Sequence, residues 1–492
     1  MTTTPSTLTN LPAHALVQGL RAGTFSCREL MQATLARIAR VNPVHKAIVS
    51  LRDEDALLRE ADARDAGLRS GQATGALYGL PLAIKDMAAT AGLRTTLGSP
   101  LLRDWVPSHD SLMVQRMKAA GCIVIGKTNT PEFGLGSHTF NEVFGATRNA
   151  WDPTRSAGGS SGGAAVALAT RMLAVADGSD FMGSLRNPAG WNHVFGLRPS
   201  QGRVPLWPVN DVWVTQLGTE GPMARTVRDL AILLQVQAGP DPRTPLALDE
   251  TPDFVAALDT PGADSVRGLR IGWLGDLGGR LAMEHGVLAC CEGALHRLQA
   301  LGCSVEPVAP RFDADAVWQA WGVWRQWLVA ARLATMAADP AQRAQLKPEA
   351  LWEVDQAASL TGAQVLAASA RRTEFFQQML AHFERHDFLA LPSAQVWPFD
   401  VRERWPAQIE GRAMDTYHRW MEVVIYATFA GLPCVSLPAG FGAAGAGQGL
   451  PMGLQLIGRP RGEIALLRLA QAYEVAAQDM LALRPPEVAS LL

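Results

Sequence analysis

The sequence predicts an α/β fold in which helices cover a sheet. Two short apolar segments, GLPLAIKD (Gly79–Asp86) and GCIVIGKT (Gly121–Thr128), have the composition of buried strands, and a helical pattern over Ser111–Ala120 lies between them. This strand–helix–strand order is typical of sheets whose faces carry helices. Of the 492 residues, 48% are hydrophobic and 18% are charged, which is enough for a large buried core.

Other patterns predict the remaining elements in chain order. Amphipathic spacing predicts a helix over Glu29–Asn42, and a second helix over Thr226–Gly239 ends at its glycine. Leu432–Phe441 and Pro451–Gly458 are predicted strands around a glycine-rich hairpin. A closing helix is expected over Glu463–Ala477.

The middle of the chain has a different character. From Thr244 to Phe399 it consists of long stretches rich in Ala, Leu, Arg and Gln with short breaks. We predict that residues 244–399 form a helical cap subdomain inside a single domain of residues 1–492.

Composition excludes several classes of protein. A net charge of −2 provides no field that would attract nucleic acid or an anionic membrane. No apolar run reaches about 18 residues, so no membrane span is expected, and MTTTPSTLTN lacks the features of a signal peptide. We expect a cytoplasmic protein, because the six cysteines lack metal-site spacing and read as buried thiols in a reducing compartment: Cys27, Cys122, Cys290, Cys291, Cys303 and Cys434.

The segment GCIVIGKT fits the pattern of a phosphate-binding loop that ends in Lys127 and Thr128. Such a loop needs a strand before its first glycine and a helix after its threonine. Here the residues between the glycines would form the strand themselves, and Pro131 opposes a following helix. We interpret the segment as a core strand, with ATP binding through Lys127 as a rival hypothesis.

The segment GGSSG (Gly158–Gly162) fits the nucleophile-elbow pattern, with Ser160 at its centre. An elbow needs a strand that leads into the serine. The preceding segment is rich in turn residues and contains Pro153, and no later histidine has a context that marks it as a triad partner. The sequence therefore argues against an elbow.

A second serine and a strand-end lysine indicate a different kind of hydrolase. Ser184 lies in the polar loop GSDFMGSLRNPAGW, and Lys85 ends an apolar strand, where burial disfavours the charged ammonium. A neutral lysine can accept the proton of a serine hydroxyl, and another serine held between them can relay it. Backbone N–H groups just before the nucleophile can stabilise the oxyanion.

Ordered motifs over most of the chain resemble the amidase signature family of serine hydrolases, which use a Ser–cis-Ser–Lys triad. The motifs are GLPLAIKD, GCIVIGKTNTPEFG, GGSSGG, GSLRNPA, GLRPSQGRVP, GPMARTVRDLA, GLPCVSLPAGF and LPMGLQLIGRP. The resemblance implies an α/β/α sandwich with a large mixed central sheet. It implies no metal and no organic cofactor.

The positions that match the family motifs imply roles for individual residues. Ser184 corresponds to the nucleophile, Lys85 to the base and Ser160 to the bridging serine, whose peptide bond with Gly159 is cis in the family. Ser161 corresponds to an accompanying serine that hydrogen-bonds within the same loop. A helix N-cap is an equally good interpretation of Ser161.

The loop before the nucleophile departs from the family pattern. Phe181 and Met182 follow Asp180, where the family usually has a small residue and then glycine. Backbone donors do not depend on side chains, so we still expect an oxyanion hole made of the N–H groups of Phe181, Met182, Gly183 and Ser184. We interpret Asp180 and Arg186 as a charge-assisted brace of this loop and not as catalysts.

Four tryptophans recur at three-residue spacing within residues 316–328. At about 100° per residue the first and the last lie on opposite faces of a helix, so they cannot all enter one core. They are candidate substrate-pocket residues, the alternative being two core and two surface rings: Trp318, Trp321, Trp324 and Trp327. No cluster of Arg or Lys that would hold an amino-acid carboxylate is evident near them.

Together these features predict a hydrolase of carboxylic amides, and possible further substrates are carbamates and esters. We expect a small-molecule substrate, no nucleic-acid or membrane partner, and a monomer or homodimer. The alternative within the family is the glutamine-hydrolysing A subunit of a tRNA-dependent amidotransferase, which acts beside a second protein. A catalytically dead scaffold is disfavoured because Lys85, Ser160 and Ser184 are all present.

Overall fold

The computed structural model describes residues 8–72, 75–259 and 266–490. Its α-helices are α1 Ala13–Arg21, α2 Cys27–His45, α3 Glu54–Arg69, α4 Leu112–Ala119, α5 Gly162–Ala169, α6 Asn187–Trp191, α7 Val227–Gln237, α8 Val287–Ala300, α9 Ala314–Ala338, α10 Pro340–Arg343, α11 Pro348–Ala357, α12 Gly362–Phe383, α13 Ile425–Phe429, α14 Glu463–Ala476, α15 Gln478–Leu481 and α16 Pro486–Ala489. Its strands are β1 Ile48–Val49, β2 Pro81–Lys85, β3 Ile123–Thr128, β4 Val175–Asp180, β5 Phe195–Arg198, β6 Thr219–Ala224, β7 Arg270–Trp273, β8 Ser304–Pro307, β9 Phe388–Pro392, β10 Gln408–Ile409, β11 Arg412–Ala413, β12 Cys434–Phe441 and β13 Pro451–Ile457.

An eight-stranded mixed sheet forms the centre of the fold. Its strand order is β4-β6-β5-β12-β13-β9-β7-β8. Neighbours are antiparallel from β4 to β9, and β9, β7 and β8 run parallel. The predicted α/β fold with a large mixed central sheet is therefore confirmed.

The predicted strands and helices are present, most of them one or two residues shorter at an end. The helix α2 instead begins two residues before the predicted start, because Ser26 and Glu29 form a capping box. The Glu29 N–H donates to Ser26 Oγ at 3.1 Å, and the Ser26 N–H donates to the Glu29 carboxylate at 2.7 Å.

The predicted helical range 244–399 is too wide. The strands β7, β8 and β9 of the central sheet lie inside it, and averaging the composition over long helices hid short apolar runs such as Phe388–Pro392. Residues 260–265 of this range lie outside the described residues. What remains is a helical layer in which α9 packs against α11 and α12, and its role as a cap stays a prediction. No helix in the described ranges has the length and apolar character needed to cross a membrane.

A small sheet, in the order β1-β3-β2, carries Lys85 at the end of β2. The buried helix α5 packs against this sheet, and its Gly163 explains how closely it does so. A Cβ on Gly163 would lie 2.3 Å from the Asn129 nitrogen, so only glycine permits this approach. The residues just before α5, Ser160 and Ser161, are thereby brought to the end of β2.

Candidate active site

The amine of Lys85 is surrounded by serine hydroxyls. Lys85 Nζ donates to Ser160 Oγ at 2.8 Å, to Ser161 Oγ at 2.8 Å and to Ser179 Oγ at 3.0 Å. The lysine is only 1% exposed, and burial lowers its pKa to about 7. Near pH 7 a large fraction of the amine is therefore neutral, which is the form that can accept a proton.

Carboxyl groups on β4 and β6 face this lysine. Both carboxylate oxygens of Asp177 accept a hydrogen bond from the backbone N–H of Lys85, at 3.1 and 3.2 Å, and this contact joins β2 to β4. Burial raises the pKa of Asp177 to about 6. Glu220 pairs with Ser179 in the β4–β6 register, and burial followed by the nearby Asp177 raises its pKa to about 8. The charges of Asp177, Asp180 and Glu220 favour the ammonium, but burial outweighs them.

Two hydrogen bonds hold the loop of Ser160 against the loop of Ser184. The Gly159–Ser160 peptide bond is cis, as the family resemblance implies. The Gly159 N–H donates to Asn187 Oδ1 at 3.2 Å, and the Ser161 N–H donates to the Ser184 carbonyl oxygen at 3.3 Å. Both serine loops thus lie in one buried site beside the lysine.

The two interpretations of Ser161 are separated by the contacts of its side chain. Ser161 stands before the first residue of α5, but its hydroxyl makes no capping hydrogen bond. The hydroxyl accepts from Lys85 Nζ and lies 3.4 Å from the Ser179 carbonyl oxygen. The N-cap interpretation is wrong, and this hydroxyl belongs to the polar surroundings of the lysine.

Asp180 and Arg186 form the predicted brace. Arg186 donates to the two carboxylate oxygens of Asp180 through Nε and Nη2, each at 2.9 Å, and both side chains are fully buried. The Leu185 N–H donates to the same carboxylate at 3.1 Å. Burial opposes ionisation of Asp180, but Arg186 and Arg198 hold its pKa at about 2. The carboxylate therefore stays charged and fixes the loop that carries Ser184.

The predicted oxyanion hole is wrong at Gly183. The Gly183 N–H donates to Asp180 Oδ1 at 2.9 Å, because the loop turns back onto its own aspartate. This turn needs glycine, since φ is +77° and a Cβ would lie 2.7 Å from Val424. Phe181, Met182 and Ser184 remain the candidate donors.

The four tryptophans of α9 lie in different surroundings, as the alternative interpretation stated. Trp321 and Trp324 are buried, whereas Trp318 and Trp327 are half-buried. The centres of the Trp321 and Phe181 rings lie 5.8 Å apart, so Trp321 reaches the loop that carries Ser184. Trp318 packs against the Arg419 guanidinium, and Trp324 and Trp327 pack against each other. Trp321 is thus the tryptophan that packs against Phe181, but its side chain is fully buried, and a role of the tryptophans in the substrate pocket stays a prediction.

An arginine, Arg325, lies beside the loop that carries Ser184. Arg325 Nη1 is 3.7 Å from Met182 Sδ, and the guanidinium lies 5.6 Å from the centre of the Phe181 ring. Arg325 also donates to Glu353 Oε1 and to the Tyr417 hydroxyl oxygen, each at 2.5 Å. Its charge is therefore balanced by Glu353 before any substrate binds.

The other candidate motifs do not form sites. The Lys127 amine is buried and donates to the Ala88 carbonyl oxygen at 2.6 Å and to Thr90 Oγ1 at 2.7 Å. The strand β3 includes the supposed phosphate loop, no α-helix follows directly, and no strand leads into Ser160. Within the described ranges, no group of three or more His, Cys, Asp or Glu side chains is placed to hold a metal ion.

A family model named Amidase matches residues 29–467. The chain belongs to the amidase signature family. It is 36% identical to the A subunit of the glutamyl-tRNA(Gln) amidotransferase from Synechococcus sp. (strain RCC307), with 96% of this chain and 99% of that protein covered. Among solved structures, it is similar to a bacterial aryl acylamidase of the amidase signature family, with 30% identity, a TM-score of 0.87 and coverage of 96% and 99%. A 6-aminohexanoate cyclic dimer hydrolase is 28% identical, with a TM-score of 0.85 and coverage of 98% and 99%.

In this member of the amidase signature family, sequence reasoning missed the polar residues that support the lysine. Asp177 and Ser179 lie in ADGSD, within the strand β4 that leads to the loop of Ser184. Polar side chains are unusual in a buried strand, so these two were the feature of the sequence that could have indicated a role beside the lysine. Asn187 and Glu220 are apparent only once the loops and strands are placed side by side.

Proposed function

We propose that this chain hydrolyses carboxylic amide bonds of neutral substrates through an acyl-enzyme on Ser184. The observation that carries the proposal is the 2.8 Å hydrogen bond between Lys85 Nζ and Ser160 Oγ, in a buried site whose loop is bonded to that of Ser184. A base with a pKa of about 7 and a serine that can relay a proton are the parts this chemistry needs.

The proposed reaction begins with neutral Lys85. Ser184 Oγ attacks the carbonyl carbon while its proton passes to Ser160, whose own proton passes to Lys85 Nζ. The carbonyl electron pair moves to oxygen, where backbone N–H groups of Phe181, Met182 and Ser184 stabilise it. As the C–N bond breaks, the proton returns through Ser160 to the leaving nitrogen. Water then attacks the acyl-enzyme by the same relay and releases the acid.

The surroundings of the nucleophile favour a neutral, preferably aromatic, substrate. Phe181, Met182 and Trp321 present apolar side chains, and Arg325 is already paired with Glu353. Burying an apolar substrate contributes about 25 cal/mol per Å², and stacking on a ring adds about 0.5–1.5 kcal/mol. A zwitterion such as glutamine would lose hydration without a free partner for its carboxylate. Carbamates and esters present a similar carbonyl and are further candidate substrates.

Glutamine hydrolysis within a tRNA-dependent amidotransferase is the second candidate function. It is favoured by the curated relatives that carry this name at 34–36% identity over nearly the whole chain. Against it stands the Arg325–Glu353 pair, which leaves that arginine no charge to offer a substrate carboxylate. This function requires ammonia release from glutamine and co-purification of a second protein of the complex.

A hydrolysis panel tests the proposed substrate class. We expect kcat/KM for a neutral anilide to exceed that for glutamine by at least about tenfold, which corresponds to some 1.4 kcal/mol. Glu353→Gln is the informative variant, because it frees the Arg325 charge and should narrow that ratio. Equal or better hydrolysis of glutamine by the unmodified chain would contradict the proposal and favour the amidotransferase function.

A further inference from the structure

Arginine side chains from four parts of the chain gather at the end of α5 that is remote from Ser161. We call them the arginine cluster: Arg37, Arg171, Arg225 and Arg484. Arg171 lines a cavity of about 10 Å³ together with Thr9 and Leu173. Arg37 lies next to the lining of this cavity, because its Nη2 donates to Thr9 Oγ1 at 3.2 Å. Arg225 also lies next to the lining, because its Nη1 donates to the Leu173 carbonyl oxygen at 2.5 Å.

Among the residues that the structure describes, no carboxylate forms an ion pair with the arginine cluster. Arg171 is 8% exposed and Arg37 is 5% exposed, and both Arg171 Nε and Arg37 Nη1 are buried without a hydrogen-bond partner. Within the described ranges none of the four forms an ion pair; Arg225 and Arg484 donate to backbone carbonyls. The negative charge of Asp229 raises the pKa of Arg225, but the Asp229 carboxylate already accepts hydrogen bonds from the first residues of α1.

The electrostatics of the arginine cluster agree with this geometry. Burial, followed by Arg225, Arg484 and Arg37, lowers the pKa of Arg171 to about 7. Burial also lowers the pKa of Arg225, to about 10, and the pKa values of Arg37 and Arg484 shift in the same direction. Buried charges in proteins are normally paired, so this excess of positive charge calls for an anion.

We propose that the arginine cluster binds a monatomic anion such as chloride. The cavity has room for about one water-sized sphere, which suits a monatomic ion better than a tetrahedral phosphate. The unpartnered N–H groups of Arg171 and Arg37 supply the donors, and the positive charges of all four side chains supply the attraction. The bound ion would hold together α2, the end of α5, and the segments that follow β6 and α15.

Thermal unfolding of the full chain tests this site, with sodium chloride compared with sodium gluconate at equal ionic strength. We expect chloride to raise Tm in a saturable way, by about 2 °C. Arg171→Met should abolish this increment and should unfold no earlier than the unmodified chain in gluconate, because it removes an uncompensated charge. Arg371→Met is the matched control, since Arg371 is exposed on α12 and pairs with Glu374, and it should keep the increment.

Broadening of the ³⁵Cl magnetic resonance signal provides an independent measurement of chloride binding. The unmodified chain should broaden the signal, and Arg171→Met should broaden it much less. If Arg171→Met does not fold, Arg37→Met replaces it in this measurement. Three results would overturn the proposal: equal Tm in chloride and gluconate, an increment that survives in both cluster variants, or an equal or larger shift with phosphate at the same ionic strength.

Discussion

Lys85 and Lys127 lie on the parallel strands β2 and β3, one residue apart in register, and both are buried. Burial lowers the pKa of Lys85 to about 7 and that of Lys127 to about 8. The groups that their amines contact are different. Lys85 faces three serine hydroxyls, whereas Lys127 faces the Ala88 carbonyl oxygen and one threonine hydroxyl.

This difference shows that burial alone does not make a lysine a catalytic base. A carbonyl oxygen has no proton to give, and Thr90 Oγ1, the other partner of Lys127, is itself bonded to the Ala88 carbonyl. Lys127 therefore anchors the segment that follows β2. The Ser160 hydroxyl can both accept and donate a proton, it contacts Lys85 Nζ, and the loop that carries it is hydrogen-bonded to the loop of Ser184.

The largest expected effect separates the two lysines directly. Lys85→Met should lower kcat for a neutral anilide by roughly 10³-fold or more, because it removes the base. Lys127→Met, the matched control, should retain kcat within about tenfold provided that it folds, since only the packing of a neighbouring segment changes. Steady-state rates, with Tm as the check on folding, measure both. A Lys85→Met enzyme that keeps most of its kcat would contradict the proposed role of Lys85 as the base.

A smaller effect concerns pH. Because only the neutral amine accepts the proton, kcat/KM should rise with pH up to about 7 and then level off, as Lys85 loses its proton. Asp177→Asn removes a charge that favours the ammonium while keeping an oxygen for the Lys85 N–H, so the rising limb should move to lower pH by roughly half a unit to one unit. Asp180 and Glu220, which also face Lys85, remain in place.

The control for the pH experiment is again the neighbouring lysine. Lys127→Met should move the limb less than Asp177→Asn does, because the Lys127 charge acts on Lys85 only through its effect on the pKa of Asp177. If the rising limb moved in Lys127→Met and stayed in place in Asp177→Asn, the titrating group would belong to β3 and would not be Lys85.

Much of the fold, and the gathering of Lys85, Ser160 and Ser184 in one buried site, could be predicted because they depend on local patterns. Apolar runs mark β2 and β3, and the motifs around Lys85, Ser160 and Ser184 are contiguous in the sequence. The contact of Arg325 with Met182 joins residues far apart in the chain and depends on how α9 packs, which no local pattern encodes. The engagement of the Gly183 N–H by Asp180 likewise depends on a turn whose geometry appears only in the folded loop.

The most direct test of the account is covalent labelling with a serine-reactive phosphonate, followed by peptide mass spectrometry. We expect a single label on Ser184, no label on Ser184→Ala, slow labelling of Lys85→Met and normal labelling of Lys127→Met. A label that appears on Ser160, or that persists in Ser184→Ala and disappears in Ser160→Ala, would contradict the assignment of Ser184 as the nucleophile.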